Sequence, residues 1–167
     1  MKKITITTFV LVLCLILCSC SSIIEPFDFI QNGLKITLDT SFNPTVTAGY
    51  TATYRSPVAT VYLLRELFTE DSIKGLTLTA YANEVLKAND LETEIKDEGD
   101  YLSFVFKTDE DDLHLVRYVC IYEMTDAFWT VQFVCQDKYY EELNSSFIEW
   151  ASSVTDQKAE SDKADQG

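Results

Sequence analysis

The stretch Leu113–Gln136, LHLVRYVCIYEMTDAFWTVQFVCQ, decides the fold. Two runs rich in β-branched and aromatic residues, Leu113 to Met124 and Phe128 to Gln136, flank a short polar break, which is the pattern of a hairpin. Val116 and Tyr118 alternate with Leu115, Val119 and Ile121, so the first run is apolar on both faces. A sheet built around such strands has to be covered on both sides. A turn over Thr125 to Phe128 sets Met124 opposite Trp129, Cys120 opposite Phe133 and Tyr118 opposite Cys135.

Working outward, Asp137 is placed to cap a last helix with Tyr140, Leu143, Phe147, Trp150, Ala151 and Val154 along one face. Upstream, strands are expected at Glu92 to Glu98 and Tyr101 to Lys107, joined by Gly99-Asp100 and followed by the acidic turn Asp109 to Asp112. Before them Leu78, Tyr81, Ala82, Val85, Leu86 and Asn89 recur at helical spacing, with Thr77 or Thr79 available as a cap. Val58 to Leu64 is apolar on both faces and belongs near the centre of the sheet. Gly49 to Arg55 puts Tyr50, Ala52 and Tyr54 on one face, and Leu34 to Leu38 alternates like a half-exposed strand. The order β-β-β-α-β-β-β-β-α predicts an α+β fold: a mainly antiparallel sheet with helices packed on it.

The beginning of the chain reads as an address. Lys2 and Lys3 precede an uncharged apolar run from Ile4 to Leu17, too short for a comfortable membrane span of about 20 residues. Leu17-Cys18-Ser19-Cys20 then resembles the bacterial lipobox, which implies cleavage before Cys20 and lipid attachment to its thiol, with palmitate as a typical acyl group. Four segments are therefore expected: a lipoprotein signal peptide (1–19), a lipidated N-terminus and tether (20–26), a single domain (27–154) and a disordered polar tail (155–167).

Charge narrows the partners. The chain carries 27 acids against 13 bases; without Lys2 and Lys3, 11 bases remain and the net charge falls to −16. Nucleic acid is excluded as a partner, since its binding rests on Lys and Arg patches. Anionic headgroups repel the domain too, so the lipid has to hold it at the membrane, on the extracytoplasmic face.

With Cys14 and Cys18 in the signal and Cys20 lipidated, Cys120 and Cys135 are the cysteines of the domain. In the register above they are diagonal neighbours about 7–8 Å apart. Two buried thiols and an export-permitted disulfide both remain open, and a slip of one residue would send the pair to opposite faces.

Two segments carry a resemblance. Asn32-Gly33-Leu34-Lys35-Ile36-Thr37-Leu38 with Phe42, and Asp126-Ala127-Phe128-Trp129-Thr130-Val131-Gln132-Phe133 with Phe147, Trp150 and Ser153-Val154, are similar to small exported bacterial proteins, lipoproteins among them, of the Mog1/PsbP-like fold. The resemblance implies a three-layer α/β/α sandwich on a central, mainly antiparallel sheet. It brings no functional residue with it, because its motifs are packing signatures.

Nucleotide-loop, zincin, CxxC and nucleophile-elbow motifs do not occur, so no catalytic residue, metal ligand or cofactor is assigned. His114, the single histidine, reads as solvent-facing. Asp109, Glu110, Asp111 and Asp112 invite a cation but lack the spaced ligand pattern of a calcium loop. Tyr50, Tyr54 and Tyr62, or Tyr139 and Tyr140, are candidates to line a groove. The expectation is a non-enzymatic lipoprotein binding or stabilising another cell-envelope protein. A small-ligand or cation-binding lipoprotein of a membrane transport system is the alternative.

Overall fold

The computed structural model describes residues 25–159. The segment expected as a signal peptide, Cys20, most of the expected tether and the last part of the expected tail lie outside the described residues.

The chain opens with a hairpin, β1 (Pro26–Gln31) and β2 (Leu34–Asp39). Its turn is Asn32-Gly33, both with positive φ (49° and 93°), the mirror-image turn that matches the twist of paired strands. Then come β3 (Asn43–Thr45), β4 (Ala52–Arg55), β5 (Ala59–Leu67), helix α1 (Leu78–Ala88), β6 (Lys96–Asp97), β7 (Leu102–Glu110), β8 (Leu113–Glu123), β9 (Ala127–Gln136), helix α2 (Asp137–Ser152) and β10 (Thr155–Asp156). Seven strands form one sheet in the order β3-β4-β5-β9-β8-β7-β6, and β1-β2-β10 form a second; neighbouring strands pair antiparallel throughout.

Alternation along the central strands divides the core in two. Val61, Leu63, Trp129, Val131 and Phe133 point inward, where they meet Phe147 and Ala151 of α2 and Leu34, Ile36 and Leu38 of β2. Phe104, Val119, Ile121 and Phe128 point to the opposite face and meet Tyr81, Ala82 and Leu86 of α1. The molecule is therefore a sandwich whose inner cover is α2 together with the small sheet, and whose outer cover is α1.

The β8–β9 register differs from the expected one by two residues. Met124 N–H donates to Ala127 O (3.0 Å), closing a two-residue loop, so Tyr118 pairs with Phe133, Cys120 with Val131 and Val116 with Cys135. An even slip leaves every side chain on its face, which is why the layers match the expectation although the pairs do not.

Other boundaries move. Only Lys96–Asp97 of the segment expected as a strand at Glu92 to Glu98 pairs with β7, while Leu91 and Ile95 tuck against the outer core. Gln136, rather than Asp137, precedes α2 as its cap residue and makes no side-chain capping bond; the Asp137 carboxylate accepts from Lys107 Nζ at 2.9 Å instead. The expectation of a disordered tail from Thr155 is corrected for residues 155–159. β10 pairs Thr155 with Lys35 and Asp156 with Leu34, and Gln157 N–H donates to Gly33 O (2.8 Å). Asp156 Oδ2 accepts from Thr125 N–H (2.7 Å) and Oγ1 (2.8 Å), while Lys158 pairs with Asp126. Backbone pairing and carboxylate bonds order this polar segment, and composition does not register either.

Candidate functional site

The outer face of the large sheet is only partly covered. Along β9 the outward residues are Phe128, Thr130, Gln132 and Val134, so the face turns from apolar to polar in mid-strand while the inward residues stay apolar. Across it, β5 contributes Leu64 and Glu66, and β8 contributes Arg117. Against these, α1 presents Tyr81, Val85 and Asn89, and the space between forms two adjoining cavities of about 520 Å³ and 320 Å³. They share Tyr50, Val85, Asn89 and Gln132, so they make one groove between helix and sheet.

Each end of the groove is organised by a charged group. At one end Tyr81 Oη donates to Glu66 Oε2 and lies 3.4 Å from Thr130 Oγ1. Burial, then the bond to Glu66, pushes the Tyr81 phenol well above its ordinary range, so it stays a proton donor. Its ring stacks on Phe128 (4.3 Å between centroids), which locks the hydroxyl's direction. At the other end the Arg117 guanidinium donates to Thr108 Oγ1 (3.3 Å), Gln132 Oε1 (3.2 Å) and Glu110 Oε1. That last bond holds the Glu110 carboxyl below its ordinary value. Tyr50 and Tyr62, with ring centroids 4.6 Å apart, flank the middle of the sheet face.

The sequence-derived candidates fall elsewhere or separate. Cys120 and Cys135 are both buried and free; with Val116 opposite Cys135, Cys120 lies four residue steps farther along β8, about 13 Å along the strand, beyond disulfide reach. Burial pushes the Cys120 thiol far up and Cys135 to about 11, so both stay protonated and inert. His114 is exposed and its Nδ1 lies 2.6 Å from Asp109 Oδ1. Asp111 and Asp112 occupy the positive-φ positions of the β7–β8 turn. Asp109 and Glu110 are thus engaged by His114 and Arg117, and among the described residues no group of three or more His, Cys, Asp or Glu is placed to hold a metal. Tyr54 leaves the expected trio, because β4 begins only at Ala52 and turns Tyr54 into the inner core beside Phe29, 4.4 Å between ring centroids. Tyr139 and Tyr140 pack against the inner core. Thr130, Gln132, Glu66 and Arg117 were not anticipated; the signal was the two polar residues on the outward face of an otherwise apolar strand.

A fully antiparallel seven-stranded sheet, covered inside by a long helix and a small sheet and outside by a short helix, defines an α+β sandwich with an open groove between the short helix and the sheet. No protein-family model and no curated protein matches the chain. Two solved structures share the architecture. The solution structure of cyanobacterial PsbP (CyanoP) from Synechocystis sp. PCC 6803 aligns with 83% of this chain and 96% of its own, at 12% identity and a TM-score of 0.55. A Bacteroides thetaiotaomicron protein aligns with 77% of this chain, also at 12% identity and TM-score 0.55; the chain spans about half of that protein, 47%. The chain has a PsbP-like fold. Identity this low speaks for the fold alone.

Proposed function

We propose that this chain is a lipid-anchored, non-enzymatic binding module on the extracytoplasmic face of a membrane, and that the groove between α1 and the sheet receives a segment of another cell-envelope protein. The observation that carries the reading is the wall of the groove. Glu66, Tyr81, Thr130, Gln132 and Arg117 present hydrogen-bonding groups from rigid strands and a stacked ring, beside apolar Leu64 and Val85. Fixed polar groups on an apolar floor are what recognition needs. The charged groups are already engaged, Glu66 by the neutral Tyr81 hydroxyl and Glu110 by Arg117, an arrangement suited to holding a ligand more than to moving protons. The anchor rests on Leu17-Cys18-Ser19-Cys20.

A photo-crosslinking residue replacing Tyr62 or Val85, in cells, tests the groove. One discrete protein adduct from these positions, and none from Lys138 on α2, is expected; equal adducts from all three would sink the reading. Labelled palmitate incorporation that survives Cys20→Ala would sink the anchor. A second reading, a small-ligand lipoprotein of a transport system, is favoured by the cavity of about 520 Å³, within the roughly 300–1,000 Å³ of small-molecule sites. Under it the crosslinks stay empty and a small molecule co-purifies.

A further inference from the structure

One charge in the groove is not answered by its walls. The charged residues lining the two cavities are Glu66, Glu84, Glu110 and Arg117. Arg117 is taken by Glu110, and the Glu84 carboxylate pairs with Lys87 Nζ at 3.6 Å on the exposed side of α1. That leaves Glu66, which is half-buried. Its Oε2 accepts from the Tyr81 hydroxyl, a neutral donor, and among the described residues its Oε1 accepts from none. A carboxylate drawn partly out of water with a neutral partner and an open oxygen calls for a cation. The floor beside it is a lane between β5 and β9, where Tyr62 faces Gln132, Leu64 faces Thr130 and Glu66 faces Phe128. Leu64 and Glu66 are two residues apart on one face, about 7 Å. Leu64 and Val85 are apolar, half-buried and line the larger cavity, and the Tyr81 hydroxyl that meets Glu66 also lies 3.4 Å from Thr130 Oγ1.

We propose, on the reading that the groove receives a segment of another cell-envelope protein, that this segment inserts a lysine, its stem along Leu64 and Val85 and its ammonium at Glu66 Oε1 and Thr130 Oγ1. The flexible four-carbon stem of lysine covers apolar surface while its head reaches a polar group, which is what the lane offers. Tyr81 decides between the two basic side chains. By holding Oε2 it leaves a single carboxylate oxygen, which suits a point charge, whereas the planar fork of arginine seeks both oxygens at once. The stack of Tyr81 on Phe128 keeps that hydroxyl in place. A hard divalent cation is a poorer occupant, since among the described residues no three carboxylates converge here.

The test has two arms, both with the full-length protein. In cells, the adduct from a photo-crosslinking residue in place of Tyr62 is expected to fall several-fold in Glu66→Gln, which keeps an acceptor for Tyr81 and removes the charge. It should be unchanged in Glu142→Gln, which removes an equal charge from the exposed side of α2. An adduct unmoved by Glu66→Gln, or lowered equally by both changes, overturns the lysine and leaves the groove reading standing; no adduct with Glu66 intact defeats the groove reading and the lysine with it. In solution, pools of N-acetylated heptapeptides with lysine, arginine or norleucine at the centre and neutral residues elsewhere are compared by fluorescence anisotropy. The lysine pool is expected to bind several-fold more tightly than the norleucine pool, with arginine between them. Equal binding of lysine and norleucine, strong or absent, overturns the ammonium site, and arginine equal to or above lysine overturns selection by the single oxygen. This comparison needs no variant, so it stands even where Glu66→Gln fails to fold. Tyr81→Phe opens Oε2 and is expected to raise arginine to the level of lysine or beyond; an unchanged lysine preference overturns the role of Tyr81.

Discussion

The two faces of the large sheet are built from the same strands and solve different problems. On the inner face Phe147 stacks on Phe133 (5.4 Å between centroids) and meets Trp150 at a tilt (5.8 Å, 45°), and the small sheet closes what α2 leaves open. On the outer face α1 has 11 residues, about 16 Å of helix, against a β9 of 10 residues, about 33 Å of strand. Among the described residues no second helix makes up the difference; the segments flanking α1 pack Phe68, Ile73, Leu91 and Ile95 against the apolar part of the face, and the part left uncovered carries Gln132 on β9 and Arg117 on its neighbour. The groove is thus a consequence of a length mismatch between helix and strand, made soluble by polar residues at the exposed register positions. The larger buried cluster lies on one face, and the groove proposed for recognition lies on the other.

The sharpest way to break this comparison is a pair of truncations. Phe147→Ala removes a fully buried ring from the inner stack and is expected to cost about 3–5 kcal/mol in urea unfolding. Gln132→Ala, on the same sheet but in the groove, is expected to cost less than about 1 kcal/mol, since Arg117 keeps Thr108 and Glu110 as partners. Similar costs for the two would mean that the groove is part of the core.

Tyr81→Phe sharpens the outer face. It deletes the donor to Glu66 but keeps the ring on Phe128, so a loss of about 1 kcal/mol is expected, the net value of one hydrogen bond to a partly solvated carboxylate. If the hydroxyl fixes the groove, the crosslink from Val85 falls while the fold persists. A loss as large as that of Phe147→Ala would place Tyr81 among the residues that hold the fold.

The inner face was legible in the sequence because period-2 alternation over Tyr118 to Tyr122 and Trp129 to Cys135 states which side is buried. The exact pairs were not, since Met124-Thr125-Asp126-Ala127 fits turns of two or four residues equally well, and only the closing hydrogen bond from Met124 selects between them. β1 was missed although Asn32-Gly33 is a strong hairpin signal, because its apolar residues Phe27, Phe29 and Ile30 fall on both faces of the strand and Phe29 alone among them packs against the core. The groove was not legible at all. Its polar groups come from β5, α1, β8 and β9, each an ordinary residue in its own segment, and their convergence exists only once the sheet order is known. Tyr50 and Tyr54 show the same limit, since β4 begins at Ala52, three residues later than expected, and leaves Tyr50 outside the strand against Tyr62 while Tyr54 packs beside Phe29.

The smallest effect concerns how β10 closes the inner layer against the β8–β9 turn. Burial raises the Asp156 carboxyl, but bonds from Thr125 and from the N–H groups of Lys158 and Ala159 outweigh it and hold the group below its ordinary value. At Asp126, burial is likewise outweighed, by Lys158 and Arg65. A carboxyl depressed in the folded state stabilises the protein fully above its unfolded pKa, about 3.9 for Asp, and loses that contribution as pH falls through the lower folded value. Asp156→Asn is therefore expected to lower the melting temperature at pH 7 by an amount worth less than about 1 kcal/mol, because solvent screens the group. The difference from the unaltered protein should shrink as pH falls below about 4 and vanish once the native Asp156 is itself protonated. A melting difference that stays constant from pH 7 to pH 2 would mean that backbone pairing with β2, and not the charge on Asp156, fastens the strand.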